Sequence, residues 1–268
     1  MSPFRENSIV LTGASAGIGH QLALQLASQG ARLTLAARSA EPLAKVAEEC
    51  RRLGAASVLA VPTDVADRAQ CQHLIERAVA EHGRLDTLIN NAGISMWARF
   101  DEMQSLEPFE RIMQVNYFGS LYCTFYALPH LKQSRGRLVG VASMTGKTGV
   151  PTRSGYAASK HAMAGFFDSL RIELAGSGVT VTMIYPDFVT SEVRSRAFGA
   201  DGQPLGDSPV HEDQVMSAET CAQIILSAAA KRRREVITSL RGKFGSFLKV
   251  FAPGIIDGIA RRAIARGK

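Results

Sequence analysis

Tyr156 and Lys160 stand four residues apart, and Ser143 lies thirteen before the tyrosine. Positions i and i+4 of a helix share a face, so this spacing predicts an ammonium beside a phenol. The ammonium favours the phenolate over the phenol, which lets Tyr156 give and take a proton near neutral pH. A serine hydroxyl at a strand end, brought alongside, would bond a substrate oxygen and hold it against that phenol. Such a trio can protonate a ketone or aldehyde oxygen while hydride reaches the carbon, or run the reverse on an alcohol. Alone, a YxxxK pair is more often a surface pair, and a strand-end serine more often a turn residue. What singles these residues out is the order TGASAGIG at 12–19, NNAG at 90–93, Asn116, Ser143, Tyr156, Lys160.

The hydride needs a carrier. Gly13, Gly17 and Gly19 follow an apolar run at 8–12 and open a stretch of helical periodicity at 18–28. Strand, glycine turn and helix together make a phosphate cradle. Glycines let backbone approach a pyrophosphate, and the helix N-terminus supplies N–H donors and positive potential. Ser15, Ala16 and Ile18 belong to the same turn. The spacing is GxxxGxG, not the GxGxxG of many dinucleotide folds. The second strand ends Ala36-Ala37-Arg38-Ser39. An acid there would bond a ribose 2′-hydroxyl, whereas an arginine pairs with a 2′-phosphate. Arg38, with Ser39 beside it and no acid, favours NADP(H), with NAD(H) the alternative. Asp64 and Val65, just past the third strand, fall at the adenine edge; Asp64 reads equally well as a turn or cap residue.

These residues need a scaffold. Strand-like runs at 8–12, 32–36, 57–61, 85–89, 137–142, 179–184 and 235–238 alternate with helical stretches. The helices are expected at 18–28, 41–53, 67–81, 105–131, 154–175 and 217–230, the fourth interrupted late by Pro129 and the last capped by Ser217. Such alternation predicts an α/β fold: a Rossmann-like, doubly wound parallel sheet of about seven strands flanked by helices, in a single domain. A chain of 268 residues fits one such domain. The catalytic unit is expected over 1–240, with a Gly/Pro/Asp-rich lid at about 188–214 and a basic amphipathic extension at 241–268.

The ensemble of motifs from Ile9 to Thr190 resembles the short-chain dehydrogenase/reductase family. The resemblance implies that Asn116 orders the surroundings of Lys160 through a water-mediated relay, and that Lys160 holds the nicotinamide ribose. It implies that NNAG, with Ala92 and Gly93, steadies the sheet beside the cofactor, and that Asn90 lies near the adenosine ribose. Where the family usually shows PG, an apolar residue and Thr, this chain reads Pro186-Asp187-Phe188-Val189-Thr190. Val189 and Thr190 would then meet the nicotinamide carboxamide. Asp187 departs from the pattern: either the backbone there has no need of glycine, or the nicotinamide end is held differently. NADP-preferring members often carry a basic residue inside the glycine turn, where this chain has Ala16. A homodimer or homotetramer through the two long central helices is also implied.

Loops at 94–102 and 144–153 and the lid should enclose the substrate. Met96, Trp97, Phe100, Met144, Val150, Phe188 and Phe198 would make an apolar pocket if they face inward, and would otherwise pack under their own loops. Inward, they suit a bulky apolar carbonyl or alcohol of steroid, retinoid or lipid type. Epimerisation or dehydration on the same fold is less expected. The rival reading is a non-catalytic dinucleotide-binding sensor or scaffold, which would have no need of the Ser143–Tyr156–Lys160 set.

The net charge of +7 is unevenly placed. From Lys231 to Lys268 there are eleven Lys/Arg against Glu235 and Asp257, a local balance of +9, leaving 20 basic and 22 acidic residues elsewhere. Phe244, Phe247, Leu248 and Phe251 follow helical spacing; after Pro253-Gly254, Ile256, Ile259, Ala260 and Ala263 repeat it. Such a tail either lies on an anionic membrane surface or docks on the chain's own substrate cleft or a partner subunit. Nucleic-acid binding is not expected, because no recognised module accompanies the charge. Four scattered cysteines and six scattered histidines suggest buried thiols and no metal site. With no signal peptide or spanning helix read in the chain, a cytoplasmic location is expected, peripheral to a membrane if the tail attaches there.

Overall fold

A computed structural model describes residues 2–190, 193–207 and 215–265, with side chains to Arg262. Seven strands form one parallel sheet in the order β3-β2-β1-β4-β5-β6-β7. They are β1 (Ser8–Thr12), β2 (Arg32–Ala37), β3 (Ser57–Pro62), β4 (Thr87–Asn90), β5 (Arg137–Val141), β6 (Thr180–Tyr185) and β7 (Glu235–Ile237). Apolar side chains on both faces of β1 and β4 explain their burial: Ile9, Leu11 and Ile89 pack to one side, Val10 and Leu88 to the other. The first face is covered by α1 (Gly17–Ala27), α2 (Ala40–Arg52) and α7 (Ala218–Ala230). The second is covered by α3 (Arg68–His82), α5 (Gly119–Ser134) and α6 (Ser154–Glu173). This is the doubly wound arrangement expected from the alternation. In such sheets ligands sit at the strand ends where the order reverses, here between β1 and β4.

Local chemistry sets the helix starts. Asp67 caps α3 by accepting from the N–H groups of Ala69 and Gln70, and Ser217 caps α7 by accepting from Thr220. The fourth helical region is divided, but not at Pro129. A short α4 (Glu107–Met113) runs into a π-helical turn at Gln114–Phe118 and then into α5, which continues straight through Pro129. The carbonyl that Pro129 leaves without its helical donor belongs to Phe125, an exposed residue, so the break costs little there. The π turn carries Asn116, in keeping with the tendency of such turns to lie at functional sites. Cys50, Cys71, Cys123 and Cys221 are all free and buried.

The tail forms α8 (Leu240–Phe251) and α9 (Pro253–Ala265). Pro253 begins the second helix, where its missing N–H is harmless. α8 leans on the sheet edge: a Cβ at Gly242 would meet Ile237 and Met144 at 3.0 Å, and Lys249 donates to the Lys147 carbonyl at 2.8 Å. Of the expected docking on the chain's own substrate cleft, the described residues show the contact of Arg241, at the start of α8, with the cleft residues Asp187 and Phe188. Phe244, Phe247, Val250, Phe251, Ile255 and Ile259 stand exposed. None of the described helices is long and apolar enough to cross a membrane.

β1 and β4 are clamped at the crevice. The Thr12 hydroxyl donates to the Ile89 carbonyl at 3.3 Å and accepts from the N–H groups of Asn91 and Ala92 at 3.0 and 3.1 Å. The Asn91 amide returns a bond to the Thr12 carbonyl at 3.0 Å. Thr12→Val keeps the shape but strands these donors, and should lower unfolding free energy by about 1–3 kcal/mol in urea melts.

Candidate active site

The cradle is built as the glycines require. Gly13 and Gly17 have φ of 67° and 54°, and a Cβ on Gly19 would fall 2.0 Å from the Gly13 carbonyl oxygen. Ala16 precedes α1 with no side chain capping the helix and no acid in its first turn. The leading N–H groups of α1 are therefore left to an external acceptor. Gly13, Ser15, Ala16, Gly17, Ile18 and Gly19 all line one elongated cleft of about 520 Å³. That geometry fits a dinucleotide pyrophosphate.

One end of the cleft is formed by the tips of β2 and β3. Arg38, at the end of β2, is exposed and lines it, as do Asp64 and Val65. Ser39 sits ahead of α2 and does not line the cleft. Asp64 is a turn residue and a cleft residue at once: it accepts from Ala66 N–H at 3.0 Å and from Arg111 at 2.6 Å. Burial raises its pKa, but the Arg111 bond, the Ala66 N–H and the charges of Arg111 and Arg38 outweigh that and hold it below the usual value. Asn90 is turned away: its amide donates to Thr124 on α5 at 3.1 Å. Asn91, its neighbour in NNAG, lines the cleft and donates to the Gly13 carbonyl at 3.2 Å.

At the other end Ser143, Tyr156 and Lys160 come together on the cleft wall with Ala92, Gly93, Pro186 and Val189. Ser143 follows β5, and its hydroxyl accepts from Thr145 N–H at 3.3 Å. Lys160 is buried; its ammonium donates to the Val141 carbonyl at 3.0 Å and lies 5.7 Å from the centre of the Tyr156 ring. Burial pulls its pKa down, Tyr156 opposes that, and the Arg153 guanidinium adds to the lowering. Asn116, fully buried, does not line the cleft. Its amide brackets Ile94, accepting from the N–H at 2.9 Å and donating to the carbonyl at 3.0 Å, and also donates to Ser159 Oγ at 2.9 Å. Only Gly93 separates it from Lys160: a Cβ there would lie 3.2 Å from Asn116 Oδ1 and 3.4 Å from Lys160 Nζ. Thr190 is exposed, off the cleft, and its N–H donates to the Met216 carbonyl.

Residues 7–201 match the family model described as short chain dehydrogenase. The chain belongs to the short-chain dehydrogenase family. It is 35% identical over 255 residues to the 11-beta-hydroxysteroid dehydrogenase of Pinus massoniana, covering 93% of this chain and 71% of that protein. The 11-beta-hydroxysteroid dehydrogenase 1A of Arabidopsis thaliana is likewise 35% identical, with 93% and 73% covered. Among solved structures, an alcohol dehydrogenase from the archaeon Thermococcus sibiricus, complexed with 5-hydroxy-NADP, superposes with a TM-score of 0.73 and 25% identity. The match covers 85% of this chain and 94% of that one. The protein is thus an oxidoreductase of this family, acting through a dinucleotide cofactor on a small molecule.

The dehydrogenase differs from expectation in its substrate wall. Of the seven side chains suggested by sequence, Phe188 and Phe198 line the cleft. Met96 is fully buried, Phe100 is exposed against Phe109, and Met144 packs under α8. In their place stand Arg153, Arg194 and Arg196. Arg111 and Arg153 were the readable omissions: the first lies near Asn116 on the same helical stretch, the second one turn before Tyr156. Residues 191–192 and 208–214 of the expected lid lie outside the described residues.

Asp187 has no left-handed backbone, which answers why glycine is dispensable there. Its carboxylate instead anchors the tail, accepting from Arg241 at 2.7 and 3.1 Å and from Ser239 at 2.7 Å. Burial raises its pKa, but the bonds from Arg241 and Ser239 prevail and hold it below the usual carboxylate value. A depressed folded-state pKa stabilises above the unfolded value near 3.9 and is lost as pH falls through the folded one. Arg241→Ala should therefore lower Tm at neutral pH. The gap to the parent protein should close on acidification below about pH 4 in calorimetric scans.

Proposed function

We propose that this protein is an NADP(H)-dependent carbonyl reductase or alcohol dehydrogenase acting on a bulky, largely apolar substrate. The observation that carries the reading is convergence: Ser143, Tyr156 and Lys160 share one cleft with the glycine cradle and with Arg38. Arg38 at the β2 tip, with no carboxylate beside it on that strand, supports recognition of a 2′-phosphate. The solved relative's complex with 5-hydroxy-NADP supports the same choice. The hydroxysteroid dehydrogenase names of the relatives support a steroid-like body for the substrate.

When bound, the dinucleotide supplies or accepts a hydride. Tyr156 delivers a proton to the carbonyl oxygen, or removes it from the alcohol. The Ser143 hydroxyl holds that oxygen. Lys160 keeps positive charge beside the phenol and steadies the nicotinamide ribose. Asn116 positions the site by fixing the Ile94 backbone and Ser159, with the relay to Lys160 passing by way of the Gly93 gap. Asn90 braces the end of β4 against α5 through Thr124.

A homo-oligomer is part of the reading, supported by exposed Phe125 on α5 and Ile172 on α6. So is peripheral attachment of α8 and α9 to anionic lipid. Exposed Phe247, Phe251 and Ile259 flanked by Lys243, Lys249 and Arg261 suit such a surface.

NADPH consumption with apolar ketones and aldehydes tests the chemistry, and Tyr156→Phe should cut turnover about 10²–10⁴-fold without loss of cofactor binding. Arg38→Ala should weaken NADPH about tenfold or more while leaving NADH nearly unchanged, as read by titration of cofactor fluorescence. Equal weakening of both would overturn the cofactor assignment. At low salt the intact protein should sediment with phosphatidylserine vesicles, and Phe247→Ser with Phe251→Ser should release it.

A further inference from the structure

Arg153 has no part in the reaction set out above. It is 7% exposed, yet it lines the cleft immediately before α6. Its guanidinium is sandwiched, with its carbon 4.5 Å from the Tyr156 ring centre and 5.3 Å from that of Trp97. Nη2 donates to Ser95 Oγ at 2.7 Å, and buried Nε has no partner. A guanidinium carries five N–H donors and does not deprotonate, so it cannot escape burial by becoming neutral. Burying such a charge without a counter-ion is costly.

Among the described residues, the two carboxylates lining the cleft are engaged elsewhere, Asp64 with Arg111 and Asp187 with Arg241. No Asp or Glu pairs with Arg153 among the described residues. Two aromatic rings and a serine surround the guanidinium, and no bond to a described residue engages its remaining Nη N–H groups. That is the geometry for capturing a planar oxyanion, which guanidinium groups bind through paired N–H bonds.

We propose that Arg153 is the specificity-determining residue of the cleft. The substrate is an apolar oxo acid, or the matching hydroxy acid, whose carboxylate pairs with this guanidinium a few bonds from the reacting carbon. The identity of the reacting carbon rests on the oxidoreductase reading above; the carboxylate site does not. In the reducing direction hydride adds to the carbonyl carbon and the C=O π pair takes the Tyr156 proton. The nicotinamide leaves oxidised, and the carboxylate passes through unchanged.

Trp97 is the only tryptophan of the chain, so its fluorescence reports on this slot without turnover. The full-length protein, with and without NADP⁺, is titrated with decanoate and with decanamide. The parent protein should bind the acid about ten- to hundredfold more tightly than the amide. Arg153→Met should bind both alike, and Arg153→Lys should keep part of the preference. Equal affinity of the parent protein for acid and amide overturns the proposal, even if the variants fail to fold. So does an acid preference that survives in folded Arg153→Met. A parallel assay compares NADPH-dependent reduction of a γ-oxo fatty acid and its methyl ester. There the acid should show the lower KM at similar kcat, and Arg153→Met should abolish that KM difference between acid and ester. If decanoate is preferred but no carbonyl is reduced, the carboxylate site stands and the carbonyl-reductase reading falls.

Discussion

The Thr12 hydroxyl at the mouth of the β1–β4 crevice governs the rest of the architecture. Parallel strands diverge where the sheet order reverses, and the divergence that admits a ligand also exposes backbone donors that need partners. One hydroxyl and one side-chain amide meet that need on the closed side, through Ile89, Asn91 and Ala92. The glycine turn can then spread open on the other side without unzipping the pair. Gly19 packs against Gly13 because neither has a side chain to separate them.

From that anchor the reactive groups are set by tiers of support. β5 delivers Ser143, α6 delivers Tyr156 and Lys160, and the π turn delivers Asn116. The turn matters because one extra residue in the helical repeat rotates Asn116 inward while its flanks remain packed. The Asn116 amide then fastens Ile94, at the start of the substrate loop, to Ser159 on α6. The loop at Ile94, the π turn and α6 are thereby joined through a single buried side chain.

Much of this was legible in the sequence. Alternating apolar runs gave all seven strands to within a few residues, and turn glycines and the Ser217 cap gave helix ends. The π turn was not legible, because 105–131 keeps an apolar face whether it winds with 3.6 residues per turn throughout or slips once. Pro129 misled because a proline in an exposed turn sacrifices little. In NNAG the two asparagines look alike, and only the strand pleat shows that Asn90 points to α5 while Asn91 faces the turn. The substrate wall was the poorest reading: Met96 is buried away from the cleft and Met144 packs under α8. A buried arginine has no periodicity to betray it.

The four free thiols have a practical meaning. All lie in packed helices of the two core layers, and burial pushes the thiols of Cys50 and Cys221 up to about 12. Since the thiolate is the reactive form, such groups resist alkylation and oxidation while the fold holds. The native chain is therefore a quiet background for chemistry done by insertion. A spin label or fluorophore can be attached to one added surface cysteine, on α8 or beside the cleft, and its signal traced to that place alone.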